Sequence, residues 1–235
     1  MSFNQLIIQQ SQSLSYRLEA SDFDLSLWLA NKDSEFLRGG RGVSLKIKID
    51  GSWSVLRQYL RGGLMSRFLK DEYFWAGLRR SRPFQEHKVV EYALRHDLPV
   101  PEVLGYCIQK SGLYYRASIM SRFISNQGTL AGILDVRNMA DKNWLELGSL
   151  IKRLHRASIF HADLNANNIL LGDDGRFYLI DFDKAKIMPQ KGAWTEHTLQ
   201  RLLRSLHKIQ WLRKHQGRAF HFNAECWSLL REGYK

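Results

Sequence analysis

His161-Ala162-Asp163-Leu164-Asn165-Ala166-Asn167-Asn168, followed by Asp181-Phe182-Asp183, carries the residue types that phosphoryl transfer requires. That chemistry asks for an oriented nucleophile and for divalent ions that neutralise phosphate oxygens, with little covalent work for the protein. The spacing H-x-D-x-x-x-x-N puts a base and a metal ligand on one tight loop. Asp163 would accept a hydrogen bond from the attacking hydroxyl and take up its proton. Asn168 and Asp181 would hold Mg2+ with hard oxygen ligands. His161 braces the loop in this reading and does no chemistry. Either Asp163 or Asn168 alone would fit an ordinary polar surface turn; the ordered set with the second acid does not.

The elements between the two acids explain how they meet. They lie 181 − 163 = 18 residues apart. Ile169-Leu170-Leu171 predicts a short buried strand, Asp173-Asp174-Gly175 a hairpin turn, and Phe177-Tyr178-Leu179-Ile180 the returning strand. Upstream, residues 43–49 alternate strictly and predict a half-buried strand, with Asp50-Gly51 as the turn into a partner over 52–59. Gly39-Gly40-Arg41-Gly42 precedes that hairpin, where glycines let backbone amides approach phosphates. A helix is expected over 83–96, ending at Leu98-Pro99-Val100-Pro101 where proline blocks continuation. Two strands follow, over 103–108 and 113–124, then helices over 130–134, 138–157, 194–215 and 222–232. Residues 1 to about 33 give no clear pattern. This order predicts an α+β chain with two lobes: a small antiparallel β-rich N-terminal lobe with one long helix over 1–122, and a mainly helical C-terminal lobe over 123–235. ATP is expected between them, with the backbone of Ser121-Arg122-Phe123 at its adenine edge.

Composition narrows the alternatives. With 44% hydrophobic residues, seven Trp and twelve Phe among 235, a substantial core is expected and disorder is not. No apolar run reaches the roughly 18–20 residues of a membrane span, and the first residues lack a signal-peptide pattern. The two cysteines, Cys107 and Cys226, have no metal-ligand spacing and suit a reducing compartment. The net charge of +12 favours an acidic partner: nucleotide phosphates, nucleic acid or an anionic lipid surface. No aromatic-basic interleaving of the RNA-binding kind occurs, so nucleic acid is not expected. Leu60, Leu64, Met65, Phe68 and Leu69, interleaved with Arg61, Arg67 and Lys70, read equally as a peripheral membrane contact or as an internal packing segment.

From about Phe36 to Leu206 the chain resembles the 3-deoxy-D-manno-octulosonic acid (Kdo) kinases of the lipopolysaccharide kinase group, within the protein-kinase-like superfamily. Gly39-Gly40-Arg41-Gly42, residues 55–63, Leu98-Pro99-Val100-Pro101, Leu154-His155, residues 159–165 and Arg201-Leu202-Leu203-Arg204-Ser205-Leu206 carry that resemblance. It implies a protein-kinase-like fold and an ATP- and Mg2+-dependent kinase, peripheral on the cytoplasmic side of the inner membrane, that phosphorylates the 4-hydroxyl of Kdo on Kdo-lipid A. By the same resemblance Asp163 is the catalytic residue, Asn168 and Asp181 are the metal ligands, and Gly39, Gly40 and Gly42 form the phosphate-binding loop.

Three positions depart from the general kinase pattern. The third-strand Lys is replaced by Arg57, whose planar fork is never neutral. Its helical partner is expected at Glu86, with Glu91 as the competitor. Asp183 stands where Gly usually follows Asp-Phe, and no Ala-Pro-Glu follows, which favours a small or lipid-linked acceptor over a protein. Two alternatives stay open: another kinase-like enzyme acting on a heptose, an antibiotic or a protein, and a catalytically inactive kinase fold serving as a basic binding module.

Overall fold

The computed structural model of the chain describes residues 5–30, 34–37, 44–60, 72–190 and 192–235. The glycine loop at 39–42 and the basic-apolar run at 61–70 lie outside the described residues. The fold is α+β and protein-kinase-like, in two compact units. The first holds residues 1–88 and 101–123; the second holds 89–100 and 124–235.

The described part of the first unit is a seven-stranded antiparallel sheet. Its strands are β1 (Gln5–Gln10), β2 (Ser34–Phe36), β3 (Ser44–Ile49), β4 (Ser52–Gln58), β5 (Tyr73–Phe74), β6 (Val103–Ser111) and β7 (Tyr114–Arg122). The order is β1-β6-β7-β4-β3-β2, with β5 also on β7. The period of two in β3 works as read: Leu45, Ile47 and Ile49 are buried, while Lys46 and Lys48 are not. Asp50 and Gly51 turn the β3–β4 hairpin with φ of 48° and 72°, the signs a twisted two-residue turn demands.

The N-terminal segment is more ordered than its sequence suggests. β1 runs antiparallel to β6, from Gln5 opposite Lys110 to Gln10 opposite Gly105. Leu18 and Phe23, which precede the short helix α1 (Leu25–Leu29), enter the core with Leu45, Ile47, Leu56, Leu104 and Met120. Its serines are anchors: Ser11 and Ser13 donate to Glu102 at 2.7 and 2.6 Å, and Ser15 donates to Asp50 at 2.7 Å.

α2 (Arg82–Arg95) runs from the first unit into the second and stops two residues before Leu98-Pro99. In the second unit, α3 (Leu130–Leu134) and α4 (Asp141–Arg156) precede the site elements, and α5 (Trp194–His215) and α6 (Ala224–Tyr234) follow them. α4 buries Trp144, Leu147, Leu150, Ile151 and Leu154, the stripe its periodicity predicts. α4 and α6 touch backbone to backbone through two glycines. A Cβ at Gly148 would collide with the Leu230 carbonyl, and one at Gly233 with the Leu145 carbonyl.

The site rests on two small ladders. β10 (Ile169–Gly172) pairs antiparallel with β11 (Phe177–Leu179), and on its other side with β8 (Asn126–Thr129). β9 (Ile159–Phe160) pairs with β12 (Lys186–Ile187). α1, β1, β2, β5, β8, β9 and β12 are additions to the elements legible in the sequence. No helix among the described residues is long and apolar enough to cross a membrane.

Candidate active site

The β9–β12 ladder sets Phe160 opposite Lys186 and closes the base of an excursion that spans residues 161–185. His161 opens it and is buried at 1% exposure. Its Nε2 lies 3.0 Å from the Ile180 carbonyl, and its Nδ1 accepts the Asp163 N–H at 3.3 Å. Those two bonds need the Nε2–H tautomer of a neutral ring. Burial pushes the imidazole pKa below its ordinary value, outweighing the Ile180 carbonyl and the charges of Asp181 and Asp163. Phe182, itself buried, meets the ring edge-on at 4.8 Å. His161 therefore ties the start of the loop to the end of the hairpin, as a brace.

The loop's polar residues are spent on its own backbone. Asn165 and Asn168 both donate their side-chain amides to the Asp163 carbonyl, each at 2.9 Å. Asn165 Oδ1 accepts the Asn167 N–H at 2.9 Å. With its Nδ2 so engaged, Asn168 presents its carbonyl oxygen as the end able to bind a cation. The Ile180 N–H donates to the Asn168 carbonyl at 3.0 Å, which fastens the residue before Asp181 to Asn168. Asp181 is left-handed, with φ of 63°, and its side chain is exposed. That conformation costs an L-residue about 1–2 kcal/mol, and Asp is among the residues that tolerate it.

One contact was not legible. Arg201, on α5, donates Nε and Nη2 to Asp163 Oδ1 at 3.2 and 2.9 Å. Both side chains are about half exposed, at 48% and 49%. One turn further on, Ser205 Oγ accepts the Ala166 N–H at 3.1 Å and donates to the Leu202 carbonyl at 2.8 Å. Helix α5 thus holds the loop at two points. Residues 38 and 39 positions apart meet here, and no local spacing announces such a contact.

The remaining candidates lie in the first unit. Arg57 Nη2 bridges both carboxylate oxygens of Glu86, at 2.6 and 2.7 Å. Tyr59 donates its hydroxyl to Glu86 Oε2 at 2.5 Å. Glu86 is 6% exposed and Tyr59 2%. Burial, with the Glu86 charge second, holds the Tyr59 phenol well above its ordinary pKa, so it acts as a donor. The Arg57 guanidinium also lies 4.8 Å from the Tyr59 ring centre. Glu91 instead reaches Arg95 on its own helix at 3.8 Å. Ser121 sits in β7 between Val55 and Val103. The Arg122 N–H donates to the Glu102 carbonyl at 2.8 Å and the Phe123 N–H to the Trp53 carbonyl at 3.0 Å. Those two donors are committed within the unit, so an adenine edge at this stretch would meet its carbonyl oxygens or displace Trp53. Gly39, Gly40 and Gly42 lie outside the described residues.

Comparison with known proteins shows the family. The pattern defining the lipopolysaccharide kinase (Kdo/WaaP) family matches residues 33–221. A 3-deoxy-D-manno-octulosonic acid kinase of Xylella fastidiosa (strain M23) is 39% identical over 184 residues, covering 78% of this chain and 73% of the relative. One of Xanthomonas axonopodis pv. citri (strain 306) is 41% identical over 172 residues, covering 73% and 69%. The chain belongs to the lipopolysaccharide kinase (Kdo/WaaP) family.

Membership makes phosphoryl transfer from ATP the reaction class of this lipopolysaccharide kinase. Its second unit holds an Asp on a braced loop, an Asn whose side-chain nitrogen is engaged by that loop, and a second Asp one residue past the hairpin tie. In the small unit the cationic member of the pair is Arg57 and its acidic partner is Glu86.

Proposed function

We propose that this lipopolysaccharide kinase transfers the γ-phosphoryl group of ATP to the 4-hydroxyl of the Kdo sugar on Kdo-lipid A. The tie between the catalytic loop and the hairpin carries this reading: Ile180 N–H on the Asn168 carbonyl, with Asn168 Nδ2 on the Asp163 carbonyl. It links Asp163, Asn168 and the residue before Asp181 in a chain whose relatives are named Kdo kinases, which supports reading them as one phosphotransferase site. Asp163 orients the sugar hydroxyl and accepts its proton as the oxygen attacks phosphorus. Asn168 and Asp181 would hold Mg2+. Their oxygen donors suit it, because that ion is bound by one or two protein groups together with substrate phosphates, not by an all-protein cage. No group of three or more His, Cys, Asp or Glu among the described residues offers such a cage. Once bound, the ion neutralises charge on the phosphate oxygens. Gly39, Gly40 and Gly42 would cover the phosphates, and Arg57, held by Glu86, would contact them.

The test is labelled ATP with Kdo-lipid A as acceptor and the product resolved by mass and position. A single phosphate on the Kdo 4-hydroxyl is expected. Phosphate on a heptose acceptor alone would make the enzyme a heptose kinase, and nucleotide binding without turnover of any acceptor would make it a binding module.

We further propose that the protein works on the cytoplasmic surface of the inner membrane, without crossing it. The run from Leu60 to Lys70 combines five apolar residues with Arg61, Arg67 and Lys70. Each Lys or Arg near an anionic surface contributes about 1 kcal/mol. Sedimentation with anionic liposomes at low salt and release at high salt are expected. Neutralising Arg61, Arg67 and Lys70 together should abolish most of that binding with ATP affinity unchanged. Binding indifferent to salt and to these charges would refute the surface role.

A further inference from the structure

Arg201 places a cation on the catalytic Asp, and stability does not account for it. Ion pairs between half-exposed side chains contribute about 0–1 kcal/mol, and this pair is half exposed on both sides. Its geometry is more informative. Only the Nε–Nη2 edge of the guanidinium faces Asp163, and both bonds end on Oδ1. Among the described residues, Asp163 is the partner that Arg201's hydrogen bonds reach. The Nη1–Nη2 edge remains as a second two-pronged donor face, and such a face matches a carboxylate. Anything whose hydroxyl reaches Asp163 comes within reach of that face.

We infer that Arg201 reads the carboxylate of the acceptor, so that one guanidinium both orients Asp163 and selects an acidic sugar. The inference rests on the Kdo reading above. Kdo carries its carboxylate on C2 and the proposed reacting hydroxyl on C4, two ring carbons away. A sugar of that shape can give its hydroxyl to Asp163 and its carboxylate to the other edge of Arg201. A neutral sugar would leave that edge without a carboxylate and gain no charge-assisted bond from it. Discrimination built this way is large, because an unmatched analogue leaves the site's donors unpaired.

The experiment compares a soluble Kdo glycoside with its C1 carboxamide as acceptors, at saturating ATP. The wild-type enzyme should prefer the acid by about tenfold or more in kcat/KM, mainly through KM. In Arg201→Gln the preference should collapse towards one while the KM for ATP stays within about twofold. Arg201→Lys should keep part of the preference, since it keeps the charge without the fork. Arg204→Gln, one turn away on the same helix and exposed, should leave the preference intact. A residue that merely orients Asp163 would lower kcat for both acceptors equally and leave the ratio unchanged, which would overturn the inference. So would a rise in the ATP KM with the ratio preserved, or loss of the ratio in Arg204→Gln. The wild-type comparison needs no variant to fold: equal use of acid and carboxamide sinks the role of Arg201 alone. Use of neither sinks the Kdo reading with it.

Discussion

Asp163→Ala is expected to reduce phosphorylation about 100- to 10,000-fold, the range general-base assistance supplies, while the protein stays folded. Folding should survive because the loop is held by other groups. His161 binds the Ile180 carbonyl, the Asn165 and Asn168 amides bind the Asp163 backbone oxygen, and Ser205 binds the Ala166 amide. All of these persist when the Asp163 carboxylate is removed. Asp181→Ala should be comparably severe, since it deletes a proposed metal ligand and with it charge neutralisation at the transferred phosphate. The two variants should differ in one respect: Asp181→Ala should weaken the Mg2+ dependence of nucleotide binding and Asp163→Ala should not. Turnover above half of wild type in either, with an unchanged circular dichroism spectrum, would refute the assignment of that residue.

The second large effect concerns the Arg57–Glu86 pair, and it falls on stability as well as activity. Removing one partner of a fully buried ion pair costs about 3–5 kcal/mol; Glu86 is buried while the Arg57 side chain is 23% exposed, so that range is a ceiling here. Glu86→Ala removes the carboxylate that Arg57 and the Tyr59 hydroxyl both bind. At 2–4 °C per kcal/mol, a measurable loss of melting temperature is expected, at most about 6–20 °C. Arg57→Lys separates the structural from the catalytic role. One nitrogen, Nη2, makes both bonds to Glu86, so an ammonium can rebuild the pair. It cannot reproduce a planar fork against phosphate oxygens. Arg57→Lys should therefore recover most of the stability lost in Arg57→Ala but only part of the activity. Near-wild-type activity in both variants would remove Arg57 from the site.

What was legible in the sequence follows from where each signal lives. The catalytic loop and hairpin were legible because chemistry fixes residue type and spacing over 18 positions, and Asp-Asp-Gly marks the turn. The α4 stripe was legible because burial imposes a period on one helix. β8 was not: Asn126-Gln127-Gly128-Thr129 has no apolar pattern and is a strand only because β10 offers backbone partners. β1 was hidden likewise, since its partner β6 lies about a hundred residues away and glutamines flank its three apolar residues. Arg201 was visible as part of a family stretch, yet its bond to Asp163 depends on how α5 docks. The Ser121–Phe123 backbone was read as a nucleotide edge without seeing that Trp53 and Glu102 take two of its donors, because strand register is a tertiary outcome.

The docking of α5 on the catalytic loop also orders events during synthesis. A chain emerges from its N-terminus, and units fold as they become available. When Asp181 has emerged, the loop, its histidine brace and the hairpin can already close, because all lie between residues 159 and 181. Arg201 and Ser205 emerge only later. A nascent enzyme thus passes through a stage in which the loop is formed but Asp163 lacks its guanidinium and Ala166 its hydroxyl partner. Asp163 and Ala166 acquire those partners only once α5 has emerged and docked, which makes its two anchors the last of the loop's supports to form.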